Sequence, residues 1–371
     1  MEPSIVAKEC RFAVHIPAKY GSNPDIHLIK EQVHYSNGEV KPAIKLVKDF
    51  KRDFDVTLPA YRNHQQKKEW EDLDKLMRYE CTESEMKETI ARALEMGYSN
   101  ASIKKLSLSP YLYGSDITST SLIKKRYMDK YPDHRTPYTV AVFDIETKKV
   151  GTDTIIVLAT IAYNKQVFTG VLKSLVQGIP NVDWALNNAM NKYLPQYKDQ
   201  LQCELKVFDN EVDLIKAVFE KAHQWSPDIL TAWNINYDFP RVFEMLQRHR
   251  VDPREILCDP TIPKQIRICK YKEGKKKKIT ASGKVQPISP ASQWHTLHLT
   301  AGFYVLDAMC VYKQLRISKG EQPSYSLDAI LRHEEIGGKL SFTEADEYSG
   351  IRWHHFMQEN YPIEYIVNNL S

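Results

Sequence analysis

Residues 138–171 constrain the fold of this chain more than any other stretch. Three apolar, β-branched runs, YTVAVFDIET (138–147), TIIVLATIAY (154–163) and KQVFTGV (165–171), follow one another with only short polar turns between them. Runs of this length and composition read as strands, and turns this short join antiparallel neighbours, so the three predict a meander. The first run carries two acids near its end, Asp144 and Glu146. In an extended strand residues i and i+2 leave the same face, so the two carboxylates project together. Paired charges beside VAVF are costly to bury, and a divalent cation would relieve both the burial and the repulsion. The alternative is a strand that merely surfaces at its C-terminal end and leaves both acids in water.

The segments that follow alternate. EVDLIKAVFEKAHQW (211–225) places Leu214, Ile215, Val218, Phe219 and Ala222 on one helical face. PDILTAWNINYDFP (227–240) reads as a strand and a turn, with the next helix opening near Pro240, and FYVLDAMCVYKQL (303–315) as a further strand running into a helix. Strands, helix, strand, helix and strand in this order predict an α/β layer on a mixed sheet. Within it, Asp238 follows an apolar strand, with Asn234 four residues earlier and Tyr237 directly before it. An acid at a helix start has a structural reason to be there, since Asp is a good N-cap. With Asp144 and Glu146 it also supplies a third carboxylate from a separate element, as a two-metal hydrolytic site requires.

Residues 1–137 read as mixed α+β. Strands are expected around 11–16 and 43–50, and 84–96 forms an amphipathic helix with Met86, Ile90, Ala93 and Leu94 on one face. The charged stretch 61–82 is expected to be a solvated helix whose Trp70 and Leu73 pack inward. A Pro- and Asp-rich segment, YMDKYPDHRTP (127–137), marks a domain boundary, giving domains at 1–137 and 138–371. The lysine-rich stretch 270–290 reads as a loop or hairpin tip inside the second domain.

Composition narrows the class. Lys and Arg number 51 against 47 Asp and Glu, a net charge of +4, too mild by itself to argue for nucleic-acid binding. No apolar run approaches the ~20 residues that span a bilayer, and MEPSIVAKEC lacks a basic-then-apolar leader, so a cytoplasmic protein without membrane association is expected. The six cysteines form no CxxC pair, which speaks against a zinc site or a disulfide framework.

VAVFDIET resembles the first exonuclease motif of family B DNA polymerases, and LTAWNINYDFP resembles the second, where an Asn and an aromatic–Asp pair recur. FYVLDAMCVYKQL and QPSYSLDAILRHEEIGGKLSF are similar to the segments after it in tailed-phage replicative polymerases. YRNHQQKKEWE and LSPYLYGSD resemble the amino-terminal domain of the same enzymes. The resemblance implies an RNase H-like (DnaQ-like) 3′→5′ exonuclease domain on a mixed sheet, preceded by a polymerase amino-terminal domain. It implies Asp144, Glu146 and Asp238 as ligands of two Mg²⁺ or Mn²⁺ ions, and Asn234 and Tyr237 as contacts to the 3′ end of single-stranded DNA. Lys339, in GGKL, matches a lysine beside the exonuclease centre and is otherwise an ordinary lysine after a Gly-Gly turn. The implied partners are a primer–template and a downstream polymerase domain or partner chain, with RNA a further candidate at the amino-terminal domain.

Two features depart from the family pattern. The Asn–Asp spacing of the second motif is one residue shorter than usual in the phage enzymes. The third motif should bring a Tyr and, four residues on, an Asp, yet the chain reads IEYIVNNLS. One alignment pairs Tyr365 with Asn369; another sets Asn368 at the Tyr position, with the Asp falling after Ser371, and the flanking pattern favours the second. In either, these residues do not supply the fourth carboxylate, and a chain without polymerase palm, fingers or thumb is expected, as in a fragment or the upstream half of a split polymerase. Two other readings stand beside the nuclease: a catalytically incomplete binding or assembly module that needs a downstream partner, and a stand-alone DnaQ-like nuclease. The remaining candidates are minor. Asp307 is expected to cap a helix, Lys275 to Lys278 to be solvated, and His295, His298, His354 and His355 to have no role.

Overall fold

The computed structural model describes residues 3–18, 24–97, 102–197 and 200–371. They divide into two units, 1–137 and 138–371.

The first unit opens with an antiparallel meander, β1 (Ile5–Ile16), β2 (Ile26–Tyr35) and β3 (Val40–Lys48). Then come β4 (Arg52–Thr57), β5 (Leu76–Cys81), the helices α1 (Met86–Ala93) and α2 (Ile103–Leu106), the short β6 (Leu112–Tyr113) and α3 (Ser119–Lys130). β4 lies between β5 and β6, and α1 closes a core of Phe54, Val56, Met86, Ile90 and Leu112. The expected helix over 61–82 does not form. The segment instead makes two single-turn 3₁₀ pieces (Pro59–Tyr61 and Leu73–Lys75), a loop and β5, and it leaves Trp70 72% and Leu73 78% exposed. Its few apolar residues are too sparse for a helical stripe, whereas Leu76–Cys81 pairs along the whole length of β4.

In the second unit β7 (Val140–Val150), β8 (Asp153–Tyr163) and β9 (Gln166–Leu172) form the expected antiparallel meander. Two elements invisible in the residue pattern follow, α4 (Val182–Tyr193) and β10 (Gln202–Phe208), the latter parallel to β9 at the sheet edge. The chain continues through α5 (Glu211–Trp225), β11 (Ile229–Ala232), α6 (Ile235–Arg248) and α7 (Pro253–Leu257). After β12 (Cys269–Lys272) the lysine-rich stretch forms a hairpin of β13 (Lys277–Ile279) and β14 (Val285–Pro287), and β15 (Thr296–Leu299) returns to pair with β12. β16 (Tyr304–Asp307) completes the main sheet before α8 (Ala308–Leu315), α9 (Leu327–His333), α10 (Ile351–Asn360) and α11 (Pro362–Leu370). The six-stranded order is β10-β9-β8-β7-β11-β16, with β11 parallel to both β7 and β16, a mixed sheet.

The sheet is covered on the α5 and α6 side by Ala141, Phe143 and Ile145 of β7, with the Phe143 ring 5.6 Å from that of Phe219 and 5.5 Å from that of Phe239. Gly170 of β9 lets α5 approach, since a Cβ there would lie 3.0 Å from Leu214 Cγ. The intervening β7 residues face the other way, where α11 packs on β8 and α4. Between Glu146 and Thr147 the β7–β8 register shifts by one: Glu146 pairs with Leu158 and Thr147 with Ile156, leaving Val157 as a bulge. Among the described residues no helix is long and apolar enough to cross a membrane.

Candidate active site

Asp144 and Glu146 leave β7 on the face opposite Phe143, beneath α10 and α11, as strand alternation requires. Cross-strand pairing places Thr160 opposite Asp144 and Thr169 opposite Thr160, so an acid and two hydroxyls form a row across three strands. α11 lies over that row. The Asn369 amide donates to Asp144 Oδ2 at 2.6 Å, and the Thr160 hydroxyl donates to Asn369 Oδ1 at 2.7 Å. Thr160 and Thr169 hydroxyls stand 3.2 Å apart.

Glu146 has a different set of neighbours. The Tyr365 hydroxyl donates to its Oε2 at 2.6 Å, and His354 Nδ1 lies 3.5 Å from the same oxygen. Gln358 Nε2 donates to the Tyr365 oxygen and to the Thr147 carbonyl, both at 3.0 Å, which fixes the phenol in place. Burial alone would raise the Glu146 carboxyl, but the bonds from His354 and Tyr365 outweigh it and hold the group below its usual range. For Asp144 the balance is reversed. Burial, then the Glu146 charge, push its carboxyl up to about 7 against the opposing pull of Lys339 and the Asn369 amide.

Asp238 arrives from the other side of the sheet order. α6 begins at Ile235 rather than at Pro240, because Asn234 caps it, its side chain accepting from the Asn236 N–H at 3.2 Å. Asp238 therefore sits in the first turn of the helix and does not cap it. It is 3% exposed, and its Oδ1 has no hydrogen-bond partner. Burial, then the charge of Asp144, raise its carboxyl well above the usual range, with Glu146 adding to the effect. Asp144 and Asp238 thus lie near Glu146, and each has its ionisation opposed by a neighbouring acid.

The remaining sequence candidates are placed less centrally. Tyr237 is 45% exposed and its hydroxyl lies 3.0 Å from that of Thr147, beside the acidic strand. Asn234 lines a cavity of about 430 Å³ with Trp233, Pro290, Met309 and Tyr325, a lining that includes none of the three acids. Lys339 lines a second cavity of about 380 Å³ with Asp328, Arg332, Trp353, His354 and Asn368. Its charge reaches Asp144 and Glu146. Asp307 is the expected cap: its Oδ1 accepts from the Cys310 N–H at 2.9 Å.

Tyr365 and Asn369 of α11 meet the acids, while Asn368 is buried with its Oδ1 unpartnered. Residues four apart share a helical face, so Tyr365 and Asn369 both turn to β7 while Asn368 turns aside. His354, which had no expected role, stands against Glu146, and the same four-residue spacing to Gln358 was the available signal.

The donor chemistry suits a hard divalent cation: carboxylate oxygens that repel one another, and one buried oxygen left unpartnered at Asp238. Among the described residues no three acidic, imidazole or thiol groups are already gathered as metal ligands. The fit is therefore one of chemistry and charge, and it is weakest at Asp144, where an amide N–H occupies one oxygen.

A family model for the exonuclease domain of DNA polymerase family B matches residues 98–330. The DNA-directed DNA polymerase of Escherichia phage RB69 is 27% identical over 136 residues, 36% of this chain and 13% of that enzyme. The aligned region is thus a small part of the phage protein's length. Paired acids on the meander strand, a third acid in the first turn of α6 and a family match over well over half of the residues agree: the chain belongs to the family B DNA polymerases, through their exonuclease domain.

Proposed function

We propose that this chain is the amino-terminal and 3′→5′ exonuclease portion of a phage-type family B DNA polymerase. It would hydrolyse the 3′-terminal phosphodiester of single-stranded DNA and release a deoxynucleoside monophosphate, on an RNase H-like (DnaQ-like) scaffold. The observation that carries the reading is that Asp144, Glu146 and Asp238 lie near enough for the first two to act on the ionisation of Asp238, which keeps one buried oxygen unpartnered.

Asp144, Glu146 and Asp238 would hold Mg²⁺ or Mn²⁺. A divalent cation bound there supplies Lewis acidity toward a phosphate oxygen and acidifies water. The protein's own groups do the positioning. Tyr365, His354 and Gln358 keep Glu146 ionised and fixed in direction. Lys339 adds positive charge where the scissile phosphate gains negative charge. The exposed Tyr237 ring offers a stacking surface for a terminal base, worth ~1–3 kcal/mol. A mismatched end frays more readily than a paired one, so such a site removes errors selectively. The primer–template, a downstream polymerase segment and a host-cytoplasm location belong to the same proposal, as does RNA at the amino-terminal unit.

A second reading, a binding or assembly module whose nuclease is incomplete, is favoured by one observation: an amide, not a carboxylate, faces Asp144 from α11. Incubation with 3′-terminated single-stranded DNA and Mg²⁺ or Mn²⁺ tests the two. Metal-dependent shortening from the 3′ end, absent in an Asp144→Ala, Glu146→Ala variant, is expected. A well-folded chain that leaves the DNA intact would assign it to the second reading.

A further inference from the structure

The cavity of about 430 Å³ beside Asn234 holds none of the three acids and has no part in the reading above. It lies at the carboxyl ends of parallel strands. Trp233 and Asn234 follow β11, Met309 follows β16, and the segment 321–326 ahead of α9 closes the far wall. In open α/β sheets ligands bind at this edge, in the crevice that strand ends and helix starts leave there. β11 runs parallel to β7 with Thr231 opposite Val142. Carrying that register on by two residues sets Trp233 level with Asp144, one strand spacing, about 5 Å, to the side. A ligand in the cavity would therefore sit next to the acids without touching them.

The aromatic wall is already fixed. Trp233 Nε1 donates to the Tyr325 carbonyl at 3.0 Å, the Gln322 N–H donates to the Tyr325 hydroxyl at 3.2 Å, and Lys313 Nζ lies 5.2 Å from the centre of the Tyr325 ring. Rings held in this way stack on a planar group at little cost in ordering. Ser289 and Asn234 add polar groups; the Asn234 Oδ1 is committed to the Asn236 N–H, so its amide N–H groups are what it offers a ligand. The charges cancel, because Lys313 and Glu321, the two ionised side chains among the described lining residues, pair at 2.9 Å. A phosphate finds no net positive charge here, whereas an uncharged heterocycle finds both a stacking face and hydrogen-bonding partners.

We propose that this cavity receives an unstacked nucleobase from the interior of the single strand whose 3′ end reaches the acids, the phosphates staying outside. This rests on the exonuclease reading above. Tyr237 takes the terminal base, and the cavity takes one behind it, so that the strand is held at two points when its end is positioned.

The test uses single strands that carry one abasic nucleotide at successive positions from the 3′ end, bound to the whole chain in chelator and followed by fluorescence anisotropy. Loss of the base is expected to weaken binding about 5- to 100-fold at one interior position, separately from any loss at the terminal one. Ser289→Trp fills the cavity and should abolish the interior penalty while leaving the terminal one. Tyr325→Leu removes the ring but keeps the carbonyl that holds Trp233; it should do the same, and it answers the question should Ser289→Trp fail to fold. A flat interior profile in the original chain, or an interior penalty of unchanged size in both variants, would overturn the proposal. If free adenosine still quenches tryptophan fluorescence in a chain with a flat profile, the cavity binds nucleosides and not the strand. Metal-dependent shortening from the 3′ end in any of these cases leaves the nuclease reading standing, and absence of both DNA binding and cleavage removes the two together.

Discussion

Asp238 and Asp307 occupy matching junctions, where the parallel strands β11 and β16 lead into α6 and α8, and they are almost equally buried, at 3% and 2% exposure. Their neighbours differ. Asp307 accepts from the Cys310 N–H at 2.9 Å and from the Ile235 N–H at 3.2 Å, so it caps its own helix and ties down the start of the adjacent one. Asp238 keeps an oxygen without a partner and lies beside the charge of Asp144. Burial raises both carboxyls and backbone donors offset it in part at each, but at Asp238 the charge of a second acid adds to it. A buried acid whose bonds are all made is part of the fold; one left unpaired beside other acids is a cost that the fold bears for something it binds.

The largest effect should separate these two residues most sharply. Asp238→Asn is expected to reduce metal-dependent cleavage on the order of 100-fold while leaving the melting temperature unchanged or higher, since it removes an unfavourable buried acid. If cleavage survives and stability falls instead, Asp238 belongs with Asp307. Next comes Asp144, whose carboxyl stands at about 7 in the fold against 3.8 in the unfolded chain. The folded state therefore holds a proton that the unfolded chain releases, and stability is lost as pH rises through about 4 to 7. In chelator, Asp144→Asn should stabilise the protein by ~2–4 kcal/mol at pH 8 and give almost nothing at pH 4, read from denaturant melts at the two pH values. An equal gain at both would mean that Asp144 does not titrate in that window.

Tyr365→Phe sharpens the Glu146 side. Loss of the phenol donor should weaken divalent-ion affinity about 10-fold with little change in the fold, measured by Mn²⁺ titration. The smallest effect is expected at the other junction. Asp307→Ala should cost about 1 kcal/mol of stability, through the lost helix cap, with cleavage per folded molecule retained. A cleavage defect larger than the stability defect would place Asp307 in the chemistry after all.

What could be read from the residues follows how local the signal was. Asp144 and Glu146 are legible because strand periodicity puts i and i+2 on one face, and the meander because its three runs are strongly apolar. The start of α6 was harder: the proline suggested a helix opening near Pro240, whereas a single polar side chain, the Asn234 cap, decides it. α4 and β10 escaped notice because their alternation is weak, β10 being an edge strand exposed at Gln202, Cys203 and Glu204. The α11 contacts depend on which of two adjacent asparagines a helix turns toward the sheet. Packing on β8 turns Asn369 to Asp144. Trp70 shows the opposite error, an aromatic assumed to seek the interior in a stretch with no apolar stripe to carry it there.

The bulge at Val157 sets the phase of the β7–β8 ribbon. Pairing carried straight through from Val150 and Asp153 would bring Ala159, not Thr160, opposite Asp144. The Thr160 hydroxyl would then point into the apolar layer, and the row leading to Asn369 could not form. One unpaired residue thus reconciles a tight two-residue turn at one end of the ribbon with a polar track at the other. Changes in length within the turn can be absorbed at Val157 before they rotate the acids, which makes the hairpin end the place where this strand pair can drift while its other half stays in step.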